Sequence, residues 1–382
     1  MKPEEAVREA MREHVGRATP PVLDRSRLRR EGRALRHRRT GTVLGAALSV
    51  AVVVAAAVQL GSGSTDGPDS DTAASSAVVR APAGGLRAFT VYDTESEQTV
   101  LHIADSEVSG ELLHDSDVTG ATSPYGLFDI RHDGVPYLIS PEGREIVLDG
   151  ATDPGETGYD ASIAADPQQP FVAWSSRTDA GVRLHLYGLD AGQEVATADV
   201  PCRSGDGCDL EVVALTGGVV FVRTSEGTAV WDPDRGDALA PFTDKSANVL
   251  DVGGYTLLLA GEPQRESPVD RPDSPLAGGQ WQVVWAGGDL DAVSADGYWL
   301  LGHGRDATRT VSRVRGDGSP LLVDEVVDSV DADFDTDGSL LTVQNRGGGR
   351  YALIDCAYPS GDCPELWRSE IGHAPSLIGN DS

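Results

Sequence analysis

The chain has 382 residues, with 31 Lys or Arg against 60 Asp or Glu, a formal net charge of −29 at neutral pH. So acidic a surface repels phosphates and argues against nucleic acid as a partner. The length allows a large core alongside smaller segments.

The charge is unevenly spread. Residues 1–40 carry twelve basic and six acidic residues, leaving 19 basic and 54 acidic for the rest. Residues 3–16, PEEAVREAMREHVG, read as a short helix: Pro3 suits a first turn, Glu4 and Glu5 favour the positive end of the dipole, and Gly16 supplies a stop. Its thin apolar stripe suits docking to a cytoplasmic partner. An Arg-rich stretch follows, with Arg29, Arg30, Arg33, Arg36, Arg38 and Arg39.

Residues 41–60, GTVLGAALSVAVVVAAAVQL, hold no charge. At about 1.5 Å per residue they match the roughly 30 Å hydrocarbon core of a bilayer. Basic flanks are retained in the cytoplasm. The expected topology is therefore one transmembrane helix in the plasma membrane, with residues 1–40 as a cytoplasmic basic head and the remainder outside the cell. A cleaved signal peptide is the competing reading, since Ala55–Ala57 offers small residues for cleavage. This head resembles that of actinobacterial single-pass membrane proteins, several of which work beside sigma factors. The resemblance implies a sigma factor or another cytoplasmic protein as partner. A zinc-type anti-sigma motif is missing, because no cysteine precedes Cys202.

Residues 61–83, small, polar and Pro-containing, read as a flexible linker. Within 84–382 helical periodicity gives way to short runs of Val, Leu, Tyr and Trp between Gly and Asp turns, such as FTVYD, VVFVRT, YTLLLA and YWLLG. These predict an all-β domain. LEVVALTGGVVFVRT, ANVLDVGGYTLLLAG, LDAVSADGYWLLGHG and VDADFDTDGSLLTVQ align on Gly217, Gly253, Gly297 and Gly338, at intervals of 36, 44 and 41 residues. A four-stranded propeller blade repeats about every 40–45 residues. The phrasing resembles WD40, YVTN and quinoprotein-type blades, which implies an extracytoplasmic β-propeller of six or seven blades. A pair of β-sandwiches is the structural alternative.

The four cysteines form two local pairs, Cys202 with Cys208 and Cys356 with Cys363, and an oxidising compartment makes them disulfides. The second pair flanks the last hairpin turn and would staple the terminal blade. Residues 261–279, with four prolines, read as a surface loop inside one blade.

Candidate chemistry is sparse. Asp331, Asp333, Asp335 and Asp337 precede Gly338, an alternation able to wrap calcium, although Gln344 stands where an EF-hand loop needs a bidentate Glu. Without metal, Asp331, Asp333 and Asp335 would share one face of an innermost strand. SADGYW (294–299) fails the spacing of a sialidase Asp-box, and no nucleophile elbow or phosphate loop is present. The functional expectation is a non-catalytic binding or sensing module for a protein, peptide or glycan. A transmembrane regulator and an extracytoplasmic hydrolase or lyase are the alternatives.

Overall fold

The computed structural model describes residues 85–378 except 94–97, 110–119, 132–133, 149–161, 202–209, 237, 264–266, 272–273, 278, 288–289, 304–307, 316–328, 359 and 370–373. The basic head, including Arg29, Arg30, Arg33, Arg36, Arg38 and Arg39, the apolar run 41–60, the linker and the Cys202–Cys208 pair lie outside the described residues. Among those described, no helix is long and apolar enough to cross a membrane.

The described residues form seven antiparallel or mixed sheets, the blades of a seven-bladed β-propeller. Blade 1 contains β1 (Phe89–Asp93), β2 (Gln98–Ile103) and β3 (Ser106–Ser109). Blade 2 contains β4 (Ala121–Ser123), β5 (Gly126–Ile130), β6 (Pro136–Ile139) and β7 (Glu145–Val147). Blade 3 contains β8 (Ile163–Ala165), β9 (Phe171–Thr178), β10 (Gly181–Gly188) and β11 (Gln193–Pro201). Blade 4 contains β12 (Leu210–Thr216), β13 (Val219–Thr224), β14 (Gly227–Trp231) and β15 (Ala240–Pro241). Blade 5 contains β16 (Ala247–Gly253), β17 (Thr256–Gly261) and β18 (Gln282–Trp285). Blade 6 contains β19 (Leu290–Val293), β20 (Trp299–His303) and β21 (Arg309–Arg313). Blade 7 contains β22 (Ser329–Phe334), β23 (Leu340–Gly347), β24 (Arg350–Cys356) and β25 (Glu365–Arg368). The last strand, β26 (Ser376–Leu377), returns to pair with β1, so blade 1 is built from both ends of the domain.

Each blade buries both faces, which is why its second strand reads as a continuous apolar run rather than an alternating one. In β13, Val220 and Val222 face blade 3 with Leu184 and Leu215, while Phe221 faces blade 5 with Val249 and Leu257. In β17, Leu257 and Leu259 face blade 4, whereas Leu258 joins Val293 and Leu300 of blade 6. One such cluster lies at each of the seven seams. Every fully buried Leu or Phe contributes about 1.5–3 kcal/mol through apolar surface removed from water. The seams therefore supply the main stabilisation.

Innermost strands share a second feature. The β12/β13, β16/β17, β19/β20 and β22/β23 ladders each shift register by one residue, at Val213, Leu250, Asp291 and Val330. Such a bulge sharpens the local twist and re-aims the following side chains. The following residues, Ala214, Asp251, Ala292 and Asp331, are therefore structural equivalents.

Residues 262–281 are a crossover rather than a surface loop. They carry the chain back so that β18 pairs parallel with β17. Val269 and Leu276 are buried in the blade 4–5 cluster, and Arg271 Nη2 donates to the Phe242 carbonyl at 2.8 Å. The disulfide Cys356–Cys363 spans the β24–β25 turn of blade 7, the last blade before the closing strand.

Candidate functional site

The innermost strands enclose a cavity of about 450 Å³ on the propeller axis. Its wall draws on β16, β19, β22 and β26, together with Thr122, Pro167 and Arg309. Five carboxylates border it, Asp251, Asp291, Asp331, Asp333 and Asp335, against the one arginine.

These acids hold different positions. Asp251 is committed to structure: Oδ1 accepts the Val252 N–H and Oδ2 the Val293 N–H, both at 2.7 Å, tying blade 5 to blade 6. Burial pushes its carboxyl up to about 6, against the pull of those two donors. Asp291 sits on the bulge of β19, 37 % exposed, with Oδ2 2.7 Å from His303 Nδ1. Asp331 is 41 % exposed, 3.8 Å from Arg309 Nη2, and accepts the Leu377 N–H of the closing strand. Asp333 Oδ1 accepts the next backbone N–H, that of Phe334.

The four-aspartate run is thus divided. Asp331 and Asp333 lie on β22, and Asp335 and Asp337 on the turn after it. Asp335 is buried and points into blade 1, where its oxygens accept the Leu86 and Arg87 N–H groups. Asp337 Oδ2 accepts the Gly85 N–H at 3.0 Å. Among the described residues, no three His, Cys, Asp or Glu side chains are grouped so as to hold a metal ion.

Polar contacts join the turns that end the inner strands across three adjacent seams. Asp166 Oδ2 accepts the Gly217 N–H at 2.6 Å across the blade 3–4 seam. Thr216 Oγ1 donates to the Gly254 carbonyl across seam 4–5, and Thr256 Oγ1 to the Gly297 carbonyl across seam 5–6. Gly297, at φ 75°, lies so close to blade 5 that a Cβ there would come 2.4 Å from the Gly253 carbonyl oxygen. From these touching turns project Tyr255 and Tyr298, the two most exposed large apolar side chains among the described residues, at 61 % and 64 %. Tyr255 meets Trp281 edge-on at 5.6 Å.

Blade 3 holds a constellation the sequence reading passed over. Ser176 Oγ lies 2.8 Å from His185 Nε2, and His185 Nδ1 lies 2.7 Å from Glu194 Oε1. His185 is only 2 % exposed, with its ring stacked on Trp174 at 4.8 Å. Burial holds it below the usual imidazole range, with Glu194 pulling the other way. With the ring neutral, Nδ1–H donates to Glu194 and Nε2 accepts the Ser176 O–H, so both buried nitrogens are satisfied. None of the three residues borders the axial cavity. No local spacing signals this relay, because its members come from three strands and meet diagonally across the ladder.

No family model matches the chain, and no curated protein does. The chain is similar to several solved structures. TolB from Acinetobacter baumannii is 15 % identical at a TM-score of 0.39, over 75 % of this chain and 65 % of that one, so the chain spans just under two thirds of TolB. A protein from Lactobacillus plantarum is 15 % identical at 0.35, over 76 % and 98 %. An uncharacterised protein from Listeria monocytogenes is 11 % identical at 0.27, over 76 % and 68 %.

Proposed function

We propose that this propeller is a non-catalytic binding module whose axial cavity receives a cationic group of a protein or peptide ligand. The supporting observation is the cavity wall, which five carboxylates border with one arginine, and on which Asp291 and Asp331 keep over a third of their side-chain surface in solvent. A low-dielectric hollow concentrates such a field and favours a Lys or Arg side chain over an anion. The exposed Tyr255 and Tyr298 on nearby turns offer contact area for the rest of the ligand. On the reading of residues 41–60 as a transmembrane helix, the module is displayed outside the plasma membrane, and residues 1–40 carry its state to a cytoplasmic partner.

Titration calorimetry with trilysine and triglutamate peptides tests this. Trilysine should bind, weaken as salt rises from 50 to 300 mM, and lose at least tenfold in affinity in Asp291→Asn/Asp331→Asn. Equal binding of the two peptides, or binding by neither, overturns it. The hydrolase reading has one observation on its side, the Ser176–His185–Glu194 relay, and that relay lies away from the cavity.

A further inference from the structure

The ring of blades is closed without a covalent link at one place only, between β26 and β1, and there the ladder is short. Phe89 pairs with Leu377 and Thr90 with Ser376, and one further bond runs from the Ile378 N–H to the Ala88 carbonyl at 3.4 Å. Within blade 3, by contrast, β9 and β10 pair over eight residues. Apolar packing across this closure comes from Phe89, Leu341, Val343 and Leu353. What the ladder lacks is supplied by the turn after β22.

Three successive backbone N–H groups, those of Gly85, Leu86 and Arg87, converge on the carboxylates of Asp337 and Asp335. Leu86 N–H also reaches Thr336 Oγ1 at 3.0 Å. The Arg87 guanidinium holds Asp355 at 3.2 Å. Consecutive N–H groups around an anion form a nest, which needs the backbone bent into unusual conformations. Arg87 accordingly sits at φ 51°, in the left-handed region that L side chains avoid. Gly85 leaves no room for a side chain, since a Cβ would fall 1.9 Å from Asp335 Oδ2.

The same residues border the axial cavity. Asp335 and Thr336 line it beside Leu377 of the closing strand, whose N–H is held by Asp331. Both ends of the domain are therefore gripped by one wall of the cavity.

We propose that the Asp335 clasp is the release point of the ring: β1–β3 part from β26 and blade 7 before any other seam loosens, which links residues 85–87 to the cavity wall. An occupant pressing on that wall shifts the hold on residues 85–87, and a pull on those residues opens the wall. The opening itself does not depend on which ligand the cavity takes.

Hydrogen exchange read by mass spectrometry on the full-length protein in detergent micelles tests it. In the unaltered protein, amides of 86–91 and 376–378 should exchange at least tenfold faster than those of β9 and β10. Asp335→Ala should accelerate 86–91 a further tenfold or more and leave β9, β10 and β13 unchanged. Asp166→Ala, which removes a carboxylate bond of the same kind at the blade 3–4 seam, should leave 86–91 unchanged. If Asp335→Ala does not fold, Gly85→Ala serves in its place, because its added methyl displaces the same carboxylate. Equal exchange of β1 and β9 in the unaltered protein overturns the proposal. So does uniform acceleration of all blades by Asp335→Ala or Gly85→Ala, or opening of 86–91 by Asp166→Ala.

Discussion

Asp251 and Val293 lie 42 residues apart in sequence, and the Val293 N–H donates to the Asp251 carboxylate at 2.7 Å. The other Asp251 oxygen accepts Val252 N–H, so one side chain satisfies donors of two adjacent inner strands. Asp251→Ala removes both acceptors and leaves two N–H groups beside the cavity wall. The expected loss is about 2–6 kcal/mol in urea unfolding, at one to three kcal/mol for each buried donor left unpaired. Asp251→Asn, which keeps one oxygen, should lose about half as much. A loss under about 0.5 kcal/mol in both variants would show that water replaces the carboxylate.

Acidity should stabilise the fold over a defined window. Burial pushes Asp129, Asp166, Asp251 and Asp335 up to about 6 from an unfolded value of 3.8. The folded state thus binds more protons than the unfolded chain between these values. Stability is then greatest below about 4 for these groups and is lost as pH rises through 6. At about 1.4 kcal/mol per pKa unit, each shift is worth on the order of 2–3 kcal/mol before other groups are counted. Melting at pH 5.0 and 7.5 should give the higher Tm at pH 5.0, and a higher Tm at 7.5 would reverse the sign.

Phe221 is fully buried between blades 4 and 5, its ring edge-on to Phe242 at 6.1 Å and to Trp281 at 6.0 Å. Phe221→Ala should cost about 3–5 kcal/mol by lost transfer energy and the cavity left behind. Phe221→Leu should cost far less. Chemical denaturation of both variants decides whether the seam packing carries this weight.

The Cys356–Cys363 bond closes a short loop, so its removal should act locally. Cys356→Ser/Cys363→Ser should cost about 2 kcal/mol, the low end for a disulfide, and raise hydrogen exchange in β24 and β25 alone. Loss of protection in blades 2–5 would contradict that local role.

Calcium should not change the melting temperature. The Asp335 oxygens already accept backbone donors from Leu86, Arg87 and Thr336, and Asp337 those of Gly85 and Ser339. A cation would have to displace those donors and undo the nest. A rise in Tm with millimolar Ca²⁺, lost in Asp333→Ala, would restore the four-aspartate run as a metal site.

The spacing of the glycine turns and the apolar runs between them determined by themselves that this chain makes an all-β repeat near 42 residues per unit. Turns need left-handed glycines, and a blade buried on both faces needs continuous apolar strands, so both features are written locally at each repeat. The Cys356–Cys363 pairing was legible for the same reason, being set by near neighbours. Blade count, the site and the closure were decided only by the tertiary structure. Alignment on Gly217, Gly253, Gly297 and Gly338 misregisters the inner strands, because the turns leave their bulges at different distances: Asp251 stands two residues before its glycine and Asp331 seven. The common position of Asp251 and Asp331 on the cavity wall was therefore hidden. So was the clasp, since Gly85 and Asp335 lie 250 residues apart in sequence and meet only when the ring closes on itself.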